Sequence, residues 1–217
     1  TALGQIGDKR AVPALLIAAA ANNDRFEEHA IIYALISLNN AAPLVAALNN
    51  PSANVKRTAL IALDQMGGTA LSKVNLAPFL TSKTPQLQNV GIWVASHHSD
   101  WSDIVIDFLK GRLNAAEISG PDVTSVRDLM ITFSNDKQLQ QFLAEQLADK
   151  SSSDAKKIFL MDVITHSSVK EIPEVWVQTL AKLLNTGSTD IKSQVLGLIE
   201  SRRIKVLNDQ LGQIVQN

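Results

Sequence analysis

Apolar positions in this chain recur every three or four residues, in segments separated by two to six polar, glycine or proline residues. That spacing places apolar side chains on one face of an α-helix, whereas a half-buried strand would alternate apolar and polar positions. No segment shows the alternation, so the pattern predicts an all-α chain. The predicted helices cover residues 11–22, 25–39, 41–49, 53–66, 71–81, 85–97, 101–114, 122–134, 136–149, 152–166, 172–185, 188–201 and 204–215.

Helix-terminal residues support these boundaries. Pro13 falls in a first turn, where its missing N–H costs nothing, and Asp24 is placed to cap the next helix. Gly7 and the pair Gly67-Gly68 each follow a helical segment, as glycine does at helix C-termini.

The helices are predicted to form a repeat. The second helix of each pair begins near residues 25, 54, 85, 122, 153 and 189, at intervals of 29 to 37 residues. Helix pairs at such a period are typical of an α-solenoid. We therefore predict a right-handed α-solenoid of about six helix pairs over 1–217, with a bend near 115–121 that divides 1–116 from 117–217.

The first seven residues read as the last two turns of a helix closed by Gly7. A chain that begins inside a helix is expected to be a fragment of a longer protein. The truncated helix would leave an apolar end exposed, and this predicts self-association through the N-terminal end.

Two segments resemble a known repeat family. Residues 2–15, Ala-Leu-Gly-Gln-Ile-Gly-Asp-Lys-Arg-Ala-Val-Pro-Ala-Leu, resemble the junction between HEAT-like repeats of the phycobilisome-lyase type, and residues 55–63 resemble a HEAT second helix. The resemblance implies a HEAT-like, armadillo-like array whose main activity is protein–protein interaction.

A second resemblance is more specific. Residues 24–36 and 59–66, together with Trp93 and the segment 97–101, are similar to the HEAT segment of large bacterial multidomain haem c proteins described as membrane-bound dehydrogenases. In that family a β-propeller precedes the HEAT segment and a CxxCH cytochrome c domain follows it. The resemblance implies an extracytoplasmic, periplasmic parent that carries haem c elsewhere, and no cofactor in this segment.

Composition narrows the chemistry. The 217 residues contain no cysteine, which excludes disulfides, thiolate metal sites and cysteine nucleophiles in this segment, and the net charge is −1. A near-neutral chain argues against nucleic-acid binding. No stretch is long and apolar enough to predict membrane insertion.

The first candidate site lies at the start of the helix at 25–39. His29 and Tyr33 are four residues apart and share a face, and Arg25 precedes His29 by the same interval. These residues predict a polar contact patch. The alternative is a capped helix in which Arg25 pairs with a carboxylate and Tyr33 is half buried.

Arg57, Asp64 and Gln65 form the second candidate site, on the helix at 53–66. By resemblance to HEAT arrays, second helices line the concave face, where ligands bind. Arg57 and Asp64 are separated by about two helical turns. These three residues are therefore predicted to contact a partner, the alternative being an ordinary solvated face.

Trp93, His97, His98 and Trp101 surround one turn. Adjacent histidines diverge by about 100° on a helix, so they are not expected to bind one metal ion. An interface role and a structural helix cap both fit, and the two tryptophans could pack together or serve as interaction anchors.

Three functional hypotheses follow. The first is a non-catalytic scaffold that bridges the domains of the larger haem-containing oxidoreductase-like parent, with those flanking domains as partners. The second is a free-standing HEAT adaptor that binds a protein or peptide in its concave groove. The third is a HEAT-like nucleic-acid glycosylase, which requires a basic groove with a catalytic aspartate. We expect no enzyme activity, metal site or nucleic-acid binding in this segment.

Overall fold

The computed structural model describes residues 2–21, 24–113 and 123–205. Within these ranges the chain is all-helical, without strands, which confirms the predicted all-α class. The α-helices are α1 (Ala2–Ile6), α2 (Val12–Ala21), α3 (Arg25–Leu38), α4 (Ala41–Ala47), α5 (Ala53–Met66), α6 (Lys73–Leu80), α7 (Pro85–Ala95), α8 (Ser102–Leu113), α9 (Val123–Thr132), α10 (Lys137–Ala148), α11 (Asp154–Thr165), α12 (Glu174–Thr186) and α13 (Thr189–Arg202). The segments Lys9–Ala11 and Ser99–Trp101 form 3₁₀ turns ahead of α2 and α8.

The helices form two compact units, Thr1–Phe108 and Leu109–Asn217. In the first unit, α1, α3, α5 and α7 pack side by side, each against the next. The intervening helices α2, α4 and α6 each pack against the odd-numbered helix that follows them. The order is the one expected when consecutive helix pairs stack.

The second unit repeats this arrangement. Helix α11 packs against both α9 and α13, and α10 packs against α12. The consecutive helices α10 and α11 also contact one another, as do α12 and α13. Trp176 of α12 is fully buried, and its indole N–H donates to the Gln140 carbonyl at 2.8 Å.

Helix ends follow the local chemistry that the sequence indicated. The Asp24 Oδ1 accepts the Phe26 N–H at 2.7 Å and caps α3. Pro13 lies in the first turn of α2. Gly7 and Gly67 have φ of 75° and 68°, a left-handed conformation that L side chains rarely adopt. Each of these glycines follows a helix end, as predicted.

The clearest differences from the predicted bounds lie at helix ends. The predicted helix 85–97 stops at Ala95, because Ser96 and His97 form a turn. Helix α13, predicted at 188–201, covers Thr189–Arg202 and is followed by its C-cap Arg203, whose φ is 52°. The bend predicted at 115–121 and most of the helix predicted at 204–215 fall outside the described residues.

Candidate functional site

A groove of about 870 Å³ runs along one face of the first unit, across α3, α5 and α7. It contains six of the predicted contact residues: Arg25, His29, Tyr33, Arg57, Gln65 and Trp93. Helical spacing explains this grouping, because positions three, four and seven apart on each helix face the same side. The two candidate patches that the sequence indicated on separate helices therefore belong to one surface.

Six of the thirteen residues that line the groove are aliphatic or aromatic. Four aliphatic lining residues that the sequence did not indicate as contact residues continue the same helical faces: Ile32, Ile36, Ile61 and Val90. Tyr33 is 55% exposed and Trp93 is 43% exposed, so two large rings stay open to solvent. Exposed aromatic rings beside an apolar surface are typical of protein-interaction sites.

Charged residues lie at one end of the groove. Arg57 forms an ion pair with Glu28 across the α3–α5 contact. Burial, and secondarily the positive charge of Arg25, lower the pKa of the Arg57 guanidinium below its ordinary value. Within the described residues Arg25 has no ion-pair partner, so the alternative in which Arg25 pairs with a carboxylate is not seen.

Asp64 does not line the groove. Its side chain is only 2% exposed, and its two oxygens accept hydrogen bonds from both histidines of the following turn. His97 Nδ1 lies 2.8 Å from Oδ2, and His98 Nε2 lies 2.9 Å from Oδ1. The Gln65 amide also donates to Oδ2 at 3.0 Å. The carboxylate therefore joins α5 to the turn after α7.

Each of the two imidazoles contacts a different indole. His97 meets the Trp93 ring edge-on, with 4.4 Å between ring centroids, while His98 stacks on Trp101 at 3.8 Å and an interplanar angle of 4°. Trp101 is buried, so of the two tryptophans Trp93 is the one that reaches the groove. Asp64 thus holds Gln65 directly, and Trp93 through His97.

A second, polar cavity of about 240 Å³ adjoins the charged end of the groove and shares Arg25, Glu28 and Gln86 with it. Among the described residues, no group of three or more histidine, aspartate or glutamate side chains is arranged to hold a metal ion. In the same ranges, no helix is both long and apolar enough to cross a membrane.

No protein-family model matches this chain, and a search of curated proteins finds none that is similar to it. The HEAT and haem c resemblances noted in the sequence therefore stay predictions.

Proposed function

We propose that this chain is a non-catalytic protein-interaction module that receives a segment of a partner protein in the groove of its first unit. The observation that carries the proposal is the groove itself, in which three stacked helices present two exposed aromatic rings over an aliphatic floor. Such a surface offers the rigid, amphipathic anchors from which most interface energy comes.

The fixed position of Trp93 supports this role. A side chain already held in one orientation loses less conformational entropy when a partner binds. Trp93 is held by His97, which is bonded to the buried carboxylate of Asp64. The Asp64 network therefore prepares the groove for binding, although Asp64 itself would not contact the partner.

We further propose that the alternate packing of the helices makes each unit a right-handed HEAT-like solenoid, with about six helix pairs in the chain. The groove then lies on the face formed by second helices. The pairwise contacts of α3 with α5 and of α5 with α7 support this proposal.

The glycosylase alternative receives less support. It requires a basic groove and an available carboxylate, but Glu28 partly offsets the arginine charge of the groove, and both oxygens of Asp64 are hydrogen-bonded. The haem-bearing, extracytoplasmic parent remains a prediction from resemblance, in which the module would bridge the flanking domains. A haem-stained denaturing gel of the full-length parent tests it.

The proposal is tested by selecting displayed random 12-residue peptides on the purified chain alone and then measuring the binding of each recovered peptide to the wild-type chain and to the Trp93→Ala variant. We expect recovered peptides to bind the wild-type chain at least about tenfold more tightly than the variant, since Trp93 lines the groove. Peptides that bind both proteins equally, or failure to recover any, would contradict the proposal. Circular dichroism of the variant verifies its fold.

A further inference from the structure

The groove has two chemically different ends. Helices α3, α5 and α7 contribute Arg25, Arg57 and Gln86 near their N-terminal ends, and the Arg57–Glu28 ion pair joins α3 to α5 there. Near their C-terminal ends the same helices contribute Tyr33, Gln65 and Trp93. The groove therefore has a charged end and an aromatic end.

Among the residues that line the groove itself, arginines outnumber carboxylates at the charged end. Two guanidinium groups, Arg25 and Arg57, line the groove with one carboxylate, Glu28. Glu28 pairs with Arg57, whereas Arg25 has no ion pair or hydrogen bond to its side chain within the described residues. The nearby Asp24 lines the smaller cavity and caps α3 through the Phe26 N–H. Of the two groove arginines, Arg25 is therefore the one without an ion-pair partner among the described residues.

Two carboxamide groups of α7 line the groove, Gln86 at the charged end and Asn89 between the two ends. Asn89 is exposed and makes no side-chain hydrogen bond in the described part of the chain, and Gln86 makes one long bond, 3.4 Å, to Asn54. A carboxamide both donates and accepts, as a peptide unit does. The backbone of an extended chain needs such partners wherever binding excludes water.

From this arrangement we infer the chemistry of the partner: an extended protein segment with an acidic side chain that pairs with Arg25 and an apolar or aromatic side chain seated between Tyr33 and Trp93. A carboxylate matches the planar donor fork of arginine, which forms two parallel hydrogen bonds to it. The inference rests on the proposed function and adds the identity of the recognised segment.

The spacing of the two anchors follows from helix geometry. Arg25 and Tyr33 are eight residues apart on α3, which is about 12 Å at 1.5 Å per residue. An extended chain advances about 3.3 Å per residue, so the acidic and apolar residues of the partner should lie about four positions apart.

The test uses a peptide recovered by selection on the purified chain. Its binding is measured in four titrations by isothermal calorimetry. The wild-type chain and Arg25→Gln are each titrated with the peptide and with its analogue in which the acid is replaced by its amide. We expect either change alone to weaken binding about tenfold, and both together to weaken it little further, because they remove the same ion pair.

Arg10→Gln is the control variant. It removes the same charge from the same unit at an exposed residue, paired with Asp8, which does not line the groove. We expect Arg10→Gln to bind the peptide as the wild-type chain does. Equal weakening by Arg10→Gln and Arg25→Gln would indicate general electrostatic attraction and overturn the inference.

The remaining outcomes separate the inference from the proposed function. The inference would be overturned if the recovered peptides depend on Trp93 but carry no acidic residue. It would also be overturned if replacing the acid weakens binding to Arg25→Gln as much as it weakens binding to the wild-type chain. Either result would leave the proposed interaction role standing. Peptides indifferent to Trp93→Ala, or no peptides at all, would overturn both. An acid about four positions from an apolar residue, coupled to Arg25, supports both.

Discussion

At the scale of single residues, Asp64 combines a buried side chain with hydrogen bonds to both of its oxygens. A carboxylate that is almost fully buried costs free energy unless its oxygens are hydrogen-bonded. Asp64 meets this requirement with donors from Gln65, His97 and His98. The same bonds fix two side chains of the groove, so the stability of this region and the shape of the binding surface depend on one residue.

Replacing Asp64 with asparagine is expected to lower the free energy of unfolding by about 1–3 kcal/mol. Asparagine keeps the size of the side chain, but it removes the negative charge, offers one acceptor oxygen in place of two, and turns an NH₂ group toward one imidazole, which must then change tautomer to accept a hydrogen bond. Urea denaturation followed by circular dichroism measures the change.

Asp103→Asn serves as the matched control. The Asp103 side chain is 50% exposed and pairs with Lys73 at the surface. Exposed ion pairs contribute little, so this change should cost less than about 1 kcal/mol. Equal losses for the two variants would show that burial of Asp64 does not determine its contribution.

At the scale of elements, the close packing of α6 and α7 depends on a glycine. A Cβ atom added at Gly91 would lie 2.8 Å from the Phe79 Cβ and 3.0 Å from the Phe79 carbonyl carbon. Real Cβ atoms do not approach that closely, so the two helices would have to separate. Because Val90 and Trp93 lie on the same helix, their position in the groove depends on this contact.

We expect Gly91→Ala to destabilise the chain by about 1–3 kcal/mol, the usual cost of overpacking. Thermal unfolding monitored by circular dichroism measures it. Gly197→Ala is the control: it lies inside α13 with no atom within 4 Å of an added Cβ, and alanine there should stabilise the helix by up to about 1 kcal/mol. Stabilisation by both alanines would contradict the close approach of α6 and α7.

At the scale of the whole molecule, each unit has a buried side chain that is hydrogen-bonded to another helix or turn of the same unit. Asp64 serves the first unit, and the Trp176 indole bonded to the Gln140 carbonyl serves the second. The two share no partner in the described residues. Sites without shared partners usually contribute independently to stability.

Trp176→Phe should cost about 1–3 kcal/mol, since it leaves a small cavity and removes the indole hydrogen bond to the Gln140 carbonyl. In the double variant with Asp64→Asn we expect the two losses to add to within about 0.5 kcal/mol. Equilibrium denaturation of both single variants and the double variant tests this. A larger departure from additivity would show that the two sites are energetically coupled.

The helices could be predicted from the sequence because their signals are local. Apolar periodicity identifies α3 and α5, the Asp24 carboxylate marks the start of α3 by capping it, and the left-handed backbone of Gly67 marks the end of α5. The convergence of His97 and His98 on one carboxylate could not be predicted in the same way. The side chains of adjacent residues diverge by about 100° only inside a helix, and α7 ends at Ala95, before His97 and His98.

The groove could be predicted only in part. Six lining residues were identified from charge, aromaticity and helical spacing. Gln65 lines the groove and Asp64 does not, because Asp64 is hydrogen-bonded to His97, more than thirty positions further along the chain. Such a contact is settled by tertiary packing and leaves no local pattern.

The most direct test of a protein-binding groove in the first unit is an NMR titration of the ¹⁵N-labelled full chain with a selected peptide. If the peptide binds in the groove, chemical shifts should change at groove positions of α3, α5 and α7, including the indole N–H of Trp93 and the side-chain amide of Asn89. Changes confined to α2, α4 and α6, or to the second unit, would contradict it.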